Sequence, residues 1–150
     1  MAYVVRHLAG ADAAVLKRLL RTFGEAFGEP DTYQGAVPSD DYLRVLLGKS
    51  TFIALAALDG QEVVGGLAAY VLEKFERECS EVYVYDLAVA EAHRRKGIAR
   101  RLIEALKPIA RARGAWVIYV QADRGDAAAI ALYESLGTRE DVHHFDIPVD

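Results

Sequence analysis

A β–α–β unit between Glu81 and Ala122 constrains this chain more than any other feature. Glu81 to Val89 is rich in Val and Tyr and reads as a strand. From about Gly97 to Arg113, Ile98, Leu102, Ile103, Leu106 and Ile109 recur at helical spacing on one face, and Gly114 is a natural stop. Ala115 to Ala122 then reads as a buried strand. Two strands joined through a helix lie parallel, because the crossover carries the chain back to the same end of the sheet. Pro108 sits inside the helical pattern, where a missing N–H should cost a hydrogen bond and kink the helix.

Upstream, Thr51 to Leu58 and Val63 to Leu72 flank Asp59-Gly60, a strong hairpin signal. The hairpin and the strand from Glu81 form an antiparallel half. Together with the crossover they predict an α/β (α+β mixed) fold: a central mixed sheet with helices on both faces, in one domain over residues 1–150. Tyr3 to Arg6 reads as a short strand. Asp12 is a plausible cap for a helix to about Phe23, with Val15, Leu16, Leu19, Leu20 and Phe23 on one face. Gly28 to Ser39, with Pro30, Gly35 and Pro38, reads as loop, and Asp40 or Asp41 as the cap of a short helix. Asp126 to Leu136 reads as a helix ended by Gly137, and Arg139 to Ile147 as a last strand.

Composition narrows the function classes. At 150 residues, 53% hydrophobic and 27% charged, the chain builds one globular core. No apolar run reaches the roughly 18 residues of a membrane span, and the N-terminus lacks an export pattern. A lone cysteine, Cys79, precludes an intrachain disulfide and reads as structural. A cytoplasmic protein without membrane partners is expected. A net charge of −4 argues against nucleic acid. The distribution of charge says more. His93 to Gly114 carries Arg94, Arg95, Lys96, Arg100, Arg101, Lys107, Arg111 and Arg113 against Glu104 alone. Thr22 to Leu43 carries Glu25, Glu29, Asp31, Asp40 and Asp41 with no Lys or Arg, and the tail is acidic. One stretch suits an anion and two suit a cation.

The junction Asp86-Leu87-Ala88-Val89, then Glu91 to Ala99, is where the anion would dock. A strand ends, a basic turn follows, and a helix starts at glycine. The first N–H groups of a helix lack intrahelical partners and attract phosphate. Gly97 and Ala99 permit close approach, and Arg94, Arg95, Lys96 and Arg100 add charge. Neither a P-loop nor a Gly-x-Gly-x-x-Gly pattern is present. Metal chemistry has no His-x-x-x-His or paired-Cys support, and no nucleophile elbow signals a covalent acyl-enzyme.

Arg94-x-x-Gly97-x-Ala99 after Leu87-Ala88-Val89 resembles the acetyl-CoA motif of the GNAT superfamily of N-acetyltransferases. Asp126-x-x-Ala129-x-x-Leu132-Tyr133-x-x-x-Gly137 resembles that superfamily's next helix, with Asp126 where Asn is commoner. Tyr83 to Val89, Ile118 to Asp123, Gly125-Asp126 and His144 to Ile147 look like type I aminoglycoside 3-N-acetyltransferases, a likeness spanning roughly Glu81 to Ile147. The resemblance implies acetyl-CoA held by Leu87, Ala88, Val89, the turn Arg94 to Arg100 (including Ile98), Asp126, Ala129 and Tyr133, with direct transfer in a ternary complex. It implies Tyr133 as proton donor to the departing thiolate and a possible homodimer. Asp86 becomes the candidate base, and Glu25, Glu29, Asp31, Asp123, Asp126, His144 and Asp146 become candidate ligands of a polycationic amine. The resemblance makes a gentamicin-class aminoglycoside, acetylated at the 3-amino group of its 2-deoxystreptamine ring and thereby inactivated as an antibiotic, the expected acceptor; another amine (a polyamine or a protein N-terminus) is the alternative, and a CoA-binding module without turnover is the alternative from another class.

Overall fold

The computed structural model describes residues 2–150. Five strands pair in the order β1 to β5: β1 (Tyr3–His7), β2 (Phe52–Asp59), β3 (Glu62–Glu73), β4 (Ser80–Val89) and β5 (Ala115–Val120). The first four are antiparallel neighbours, and β5 runs parallel to β4. The mixed sheet is the one the two motifs predict. The hairpin turn falls one residue later than expected, at Gly60-Gln61, since Asp59 pairs with Glu62.

Helices cover both faces. Strand β2 shows why, since it is buried on both sides: Ile53, Leu55 and Ala57 face one cluster, and Phe52, Ala54 and Ala56 the other. On the first face α4 (Ile98–Ala112) lays Ile98, Leu102, Leu106 and Ala110 against Val64, Leu67, Val82 and Val84. On the second, α1 (Ala13–Phe27) and α3 (Asp40–Leu47) bury Val15, Leu16, Leu19, Phe23, Leu43 and Leu47. Burying each such aliphatic side chain is worth roughly 1.5–3 kcal/mol. Local caps are weak beside that, and packing decides where the helices lie.

Several local expectations are corrected. Helix α1 runs on to Phe27, and the expected loop holds a short helix, α2 (Pro30–Gln34), with Pro30 at its first position, where a missing N–H costs nothing. Asp12 does not cap α1 with its side chain. Its carboxylate instead accepts from Ala9 N at 2.8 Å and pairs with Arg6 at 2.6 Å. Helix α3 is capped by Ser39, whose Oγ accepts from Tyr42 N at 3.2 Å; Asp40 and Asp41 sit inside the first turn. The last strand over Arg139–Ile147 does not form. After α5 (Ala127–Leu136) residues 138–150 carry no secondary structure, because a strand exists only through a partner and this segment pairs with none. His143 and His144 lie on this irregular segment.

Pro108 leaves α4 unbroken because it lies on the exposed face, where the Glu104 carbonyl that lost its donor is open to water. Pro108→Ala restores that bond. The thermal midpoint should rise, by an amount equivalent to about 1–3 kcal/mol in a helix interior. A lowered midpoint in calorimetry would show that the proline ring packs usefully.

Candidate active site

The site begins where the sheet comes apart. Strand β5 ends at Val120, opposite Val84, while β4 continues to Val89. The next β4 residue, Tyr85, is a bulge: Ala68 pairs with Asp86 and Ala69 with Val84, so Tyr85 has no opposite number on β3. A bulge bends and twists its strand. From Tyr85 to Val89 the main chain of β4 therefore has no strand partner on its β5 side. The polarity of that edge follows from one bond. Ala90 N donates to Val64 O at 2.8 Å, toward β3. Successive main-chain groups of a strand alternate sides, so Val89 N–H points the other way, into the gap, and Leu87 N–H with it. The side chains of Leu87, Ala88 and Val89 are packing residues: Ala88 is buried, and Leu87 and Val89 lie against the α4-side core. Their contribution to the gap is backbone alone.

The basic turn closes one end of this gap. Arg94 to Gly97 are exposed, Ile98 is buried in the core, and Ala99 is half-buried. Arg95 and Gly97 both take positive φ, 63° and 77°. For an arginine that is uncommon and marks a backbone held in place by its surroundings. With Gly97 as the cap, the free N–H groups of Ile98, Ala99 and Arg100 open from the first turn of α4. A Cβ built on Gly97 meets no atom within 4 Å, so the space in front of the turn is open. Arg94 is anchored, its Nε donating to Val89 O at 3.1 Å, and Arg100 reaches Ser135 Oγ at 2.7 Å on α5. Tyr3 fixes the turn from behind. Its hydroxyl bonds His93 Nδ1 at 3.0 Å, and its carbonyl accepts from Arg101 at 2.8 Å.

At the other end lies Asp86, half-buried one residue past the bulge. Its Oδ2 accepts from Tyr33 Oη at 3.0 Å. Burial pushes its pKa up, the Tyr33 hydrogen bond pulls it down, and the charge of Glu29 pushes it up again. Tyr33 is itself raised, by burial and by Asp86, and stays protonated as the donor. Tyr33 is the residue the sequence analysis missed. It reaches the site because α2 folds against α1 at Gly24, where a Cβ would lie 3.2 Å from Tyr33 Cβ. The Pro30-led turn just after Gly28 was the available signal for α2. Two groups of aromatic rings adjoin this residue in the chain of contacts: Tyr33, which bonds the carboxylate, clusters with Phe23 and Phe27, and Tyr85, its neighbour in sequence, links Tyr70 to Tyr83 and Tyr119.

The remaining predicted residues divide. Glu29 acts on both Asp86 and Tyr33, whereas Glu25 and Asp31 are exposed with no contact to the carboxylate. Asp40 and Asp41 are already paired, with Lys17 at 2.5 Å and Arg44 at 3.3 Å. Asp126 caps α5, its Oδ1 accepting from Ala129 N at 3.1 Å, and Asp123 is exposed in the preceding turn. Tyr133 is half-buried on α5, its pKa raised by burial and by Asp126, so the phenol keeps its proton. His144 and Asp146 pair with each other at 2.8 Å on the exposed tail, away from the Asp86 cluster's hydrogen bonds. Among the described residues, no group of three or more His, Cys, Asp or Glu could hold a metal ion.

A split parallel sheet edge beside a basic helix start suits an extended, phosphate-bearing ligand. The chain belongs to the acetyltransferase (GNAT) family, whose family model matches residues 14–138. That family uses acetyl-CoA. The chain is similar to a crystal structure of an aminoglycoside acetyltransferase from an uncultured soil metagenomic sample, with 57% identity, full coverage of both chains and a TM-score of 0.98. A second soil metagenomic aminoglycoside acetyltransferase, in complex with sisomicin, is 31% identical over 99% of this chain and 97% of its own, with a TM-score of 0.90. Among curated proteins, the [Ribosomal protein bS18]-alanine N-acetyltransferase of Escherichia coli (strain K12) is 34% identical over 76 residues, 51% of this chain and 50% of that protein. The chain thus spans about half the length of the curated relatives it matches.

The open space before Gly97 and the free β4 edge fit coenzyme A. In a Gly97→Val variant the side chain enters that space and strains a positive φ. Calorimetry should show a severe loss of coenzyme A affinity with an unchanged circular dichroism spectrum; unchanged affinity in the folded variant removes the turn from the binding site. The hydrogen bond from Tyr33 favours ionised Asp86, so Tyr33→Phe should raise the Asp86 pKa further. Carbon-detected NMR titration of that carboxyl reads it directly, and a pKa that falls or stays put contradicts the arrangement.

Proposed function

We propose that this chain is a single acetyltransferase unit that acetylates the 3-amino group of 2-deoxystreptamine aminoglycosides of the gentamicin class. The observation that carries the reading is the half-buried Asp86 carboxylate, hydrogen-bonded to Tyr33 and backed by Glu29 among aromatic rings. Clustered acids attract a polycation, and tyrosine faces add cation–π contact. Support comes from the aminoglycoside acetyltransferase with 57% identity over the full length and from the one bound to sisomicin.

Leu87 and Val89 N–H, the Arg94-to-Arg100 turn and the α4 N-terminus would hold acetyl-CoA, which supplies the acetyl group as an activated thioester. Asp86 pairs with the arriving ammonium and accepts its proton, for which a raised pKa is the useful direction because a stronger base takes the proton more readily. Val89 N–H, which faces the gap, would donate to the acyl oxygen as negative charge develops there. The phenol of Tyr133 would give its proton to the departing thiolate and be restored by the second proton that the amine sheds as the amide forms. No step needs a covalent bond to the protein. A second reading rests on the likeness to the ribosomal-protein alanine acetyltransferase, and it makes a peptide N-terminus the acceptor.

Thiol release from acetyl-CoA with gentamicin, spermidine and an alanine-initiated peptide separates these readings. Gentamicin should turn over, with one added acetyl at the ring 3-amino group by mass spectrometry, and bacteria expressing the protein should tolerate more gentamicin. Asp86→Asn and Tyr133→Phe should each lower kcat by about 10²-fold or more, the range of lost acid–base catalysis, with acetyl-CoA affinity kept. Brisk acetylation of spermidine or peptide with gentamicin untouched moves the assignment to another amine. A near-wild-type kcat in Tyr133→Phe assigns that residue to packing.

A further inference from the structure

Among the described residues, Tyr3 alone is hydrogen-bonded to both ends of the basic turn. At the upstream end its hydroxyl meets His93 Nδ1 at 3.0 Å. At the downstream end its carbonyl accepts from the Arg101 guanidinium at 2.8 Å, and Arg101 N donates in turn to Gly97 O at 3.1 Å. The stretch between these ends has little support of its own. Arg95 and Gly97 hold positive φ, 63° and 77°, and among the described residues no main-chain hydrogen bond takes the N–H of Arg95, Lys96 or Gly97. An arginine stays at positive φ only where its surroundings over-determine the backbone. Here that constraint comes from the ends, because the middle supplies none.

Tyr3 can impose it because Tyr3 is itself fixed. It pairs with Asp59 across the first two strands, and its side chain is only 9% exposed in the α4-side core. Its ring also meets the His93 ring edge-on, with centroids 5.8 Å apart and planes at 83°. The hydroxyl lies on the ring axis, so rotation of the ring does not move it. Once packing sets the direction of that axis, the span from carbonyl to hydroxyl is constant. One rigid side chain thus sets the distance between the two ends of the turn. Either partner can carry the proton of the Tyr3–His93 bond. A neutral imidazole accepts from the phenol through Nδ1, and a protonated one donates to it. The bracket stands in both charge states of the histidine.

We infer that Tyr3 is a positioning residue for coenzyme A: acting through His93 and Arg101, it holds residues 94–100 in the shape that receives the cofactor's phosphates. The inference rests on the reading that this turn binds those phosphates. Without the bracket the turn samples other shapes, and part of the binding free energy goes into ordering it. Tyr3 lies buried behind the turn, so its effect is on affinity and not on the chemistry of transfer.

Calorimetry of coenzyme A binding tests the inference and needs no acceptor amine. Tyr3→Phe keeps the buried ring and the carbonyl and deletes one hydrogen bond. The chain still folds, and its dissociation constant should rise roughly 2- to 10-fold, the range of one neutral hydrogen bond. His93→Leu should show a similar rise, and the double variant no more than either, since both remove the same bond. His93→Asn places an amide where Nδ1 stood and should restore the wild-type constant. Amide exchange of the cofactor-free Tyr3→Phe protein should be faster from Arg94 to Arg100 and unchanged from Tyr85 to Val89. Gly97→Val, measured alongside, separates this inference from the reading beneath it. Lost affinity there with none lost in Tyr3→Phe sinks the bracket alone. No loss in either variant removes the turn from the binding site, and the inference with it. Equal losses in His93→Asn and His93→Leu, or exchange that quickens evenly along the chain, make Tyr3 a packing residue and overturn the inference.

Discussion

The site depends on one irregularity, the bulge at Tyr85 where β4 outlives its pairing with β5. Up to Val84 the two strands are ordinary parallel neighbours. One residue later the ladder with β3 slips and β5 has ended, and β4 runs on with one side unclaimed. An unpaired strand edge inside a protein is costly, since each buried N–H or C=O without a partner loses its bond to water. A ligand that supplies those partners recovers that loss. The same slip turns Asp86 to a position where Tyr33 of α2 reaches it, so the unpaired edge and this carboxylate come from consecutive residues.

What holds the slot open is distributed around it. Tyr3 at the far edge of the sheet pins His93 and Arg101, and Arg94 closes back on Val89. The turn is thus built before any anion arrives, and the positive φ at Arg95 and Gly97 is held by those attachments. On the acceptor side the balance at Asp86 is electrostatic. Burial and Glu29 favour the neutral acid, and Tyr33 favours the carboxylate. That balance is the one the proposed base would need, since a fully solvated carboxylate takes a proton from an ammonium less readily.

The sheet, the crossover and the phosphate turn were legible because each rests on a local rule: period-two and period-3.6 patterns, a turn dipeptide, a glycine at a helix start. The unpaired β4 edge and the turn beside it followed from them. The surroundings of Asp86 were only half legible. Asp86 announces itself by position, but Tyr33 lies on a five-residue helix whose place is set by close packing at Gly24. No periodicity encodes that. Charge counts misled for a similar reason. Asp40, Asp41 and Asp126 look free in the sequence, yet they are paired or spent on a helix cap once the chain folds. The last strand failed because alternation specifies a willingness to pair and not a partner, which must come from elsewhere in space.

Amide hydrogen exchange with and without coenzyme A tests the central claim that the divided sheet edge is the cofactor's binding edge. Binding should slow exchange in two stretches together, Tyr85 to Val89 and the start of α4 from Gly97 to Arg101. Protection confined to the helix start, with residues 85–89 exchanging as before, would mean that the cofactor is held by its phosphates alone and that the gap beside the bulge has another purpose.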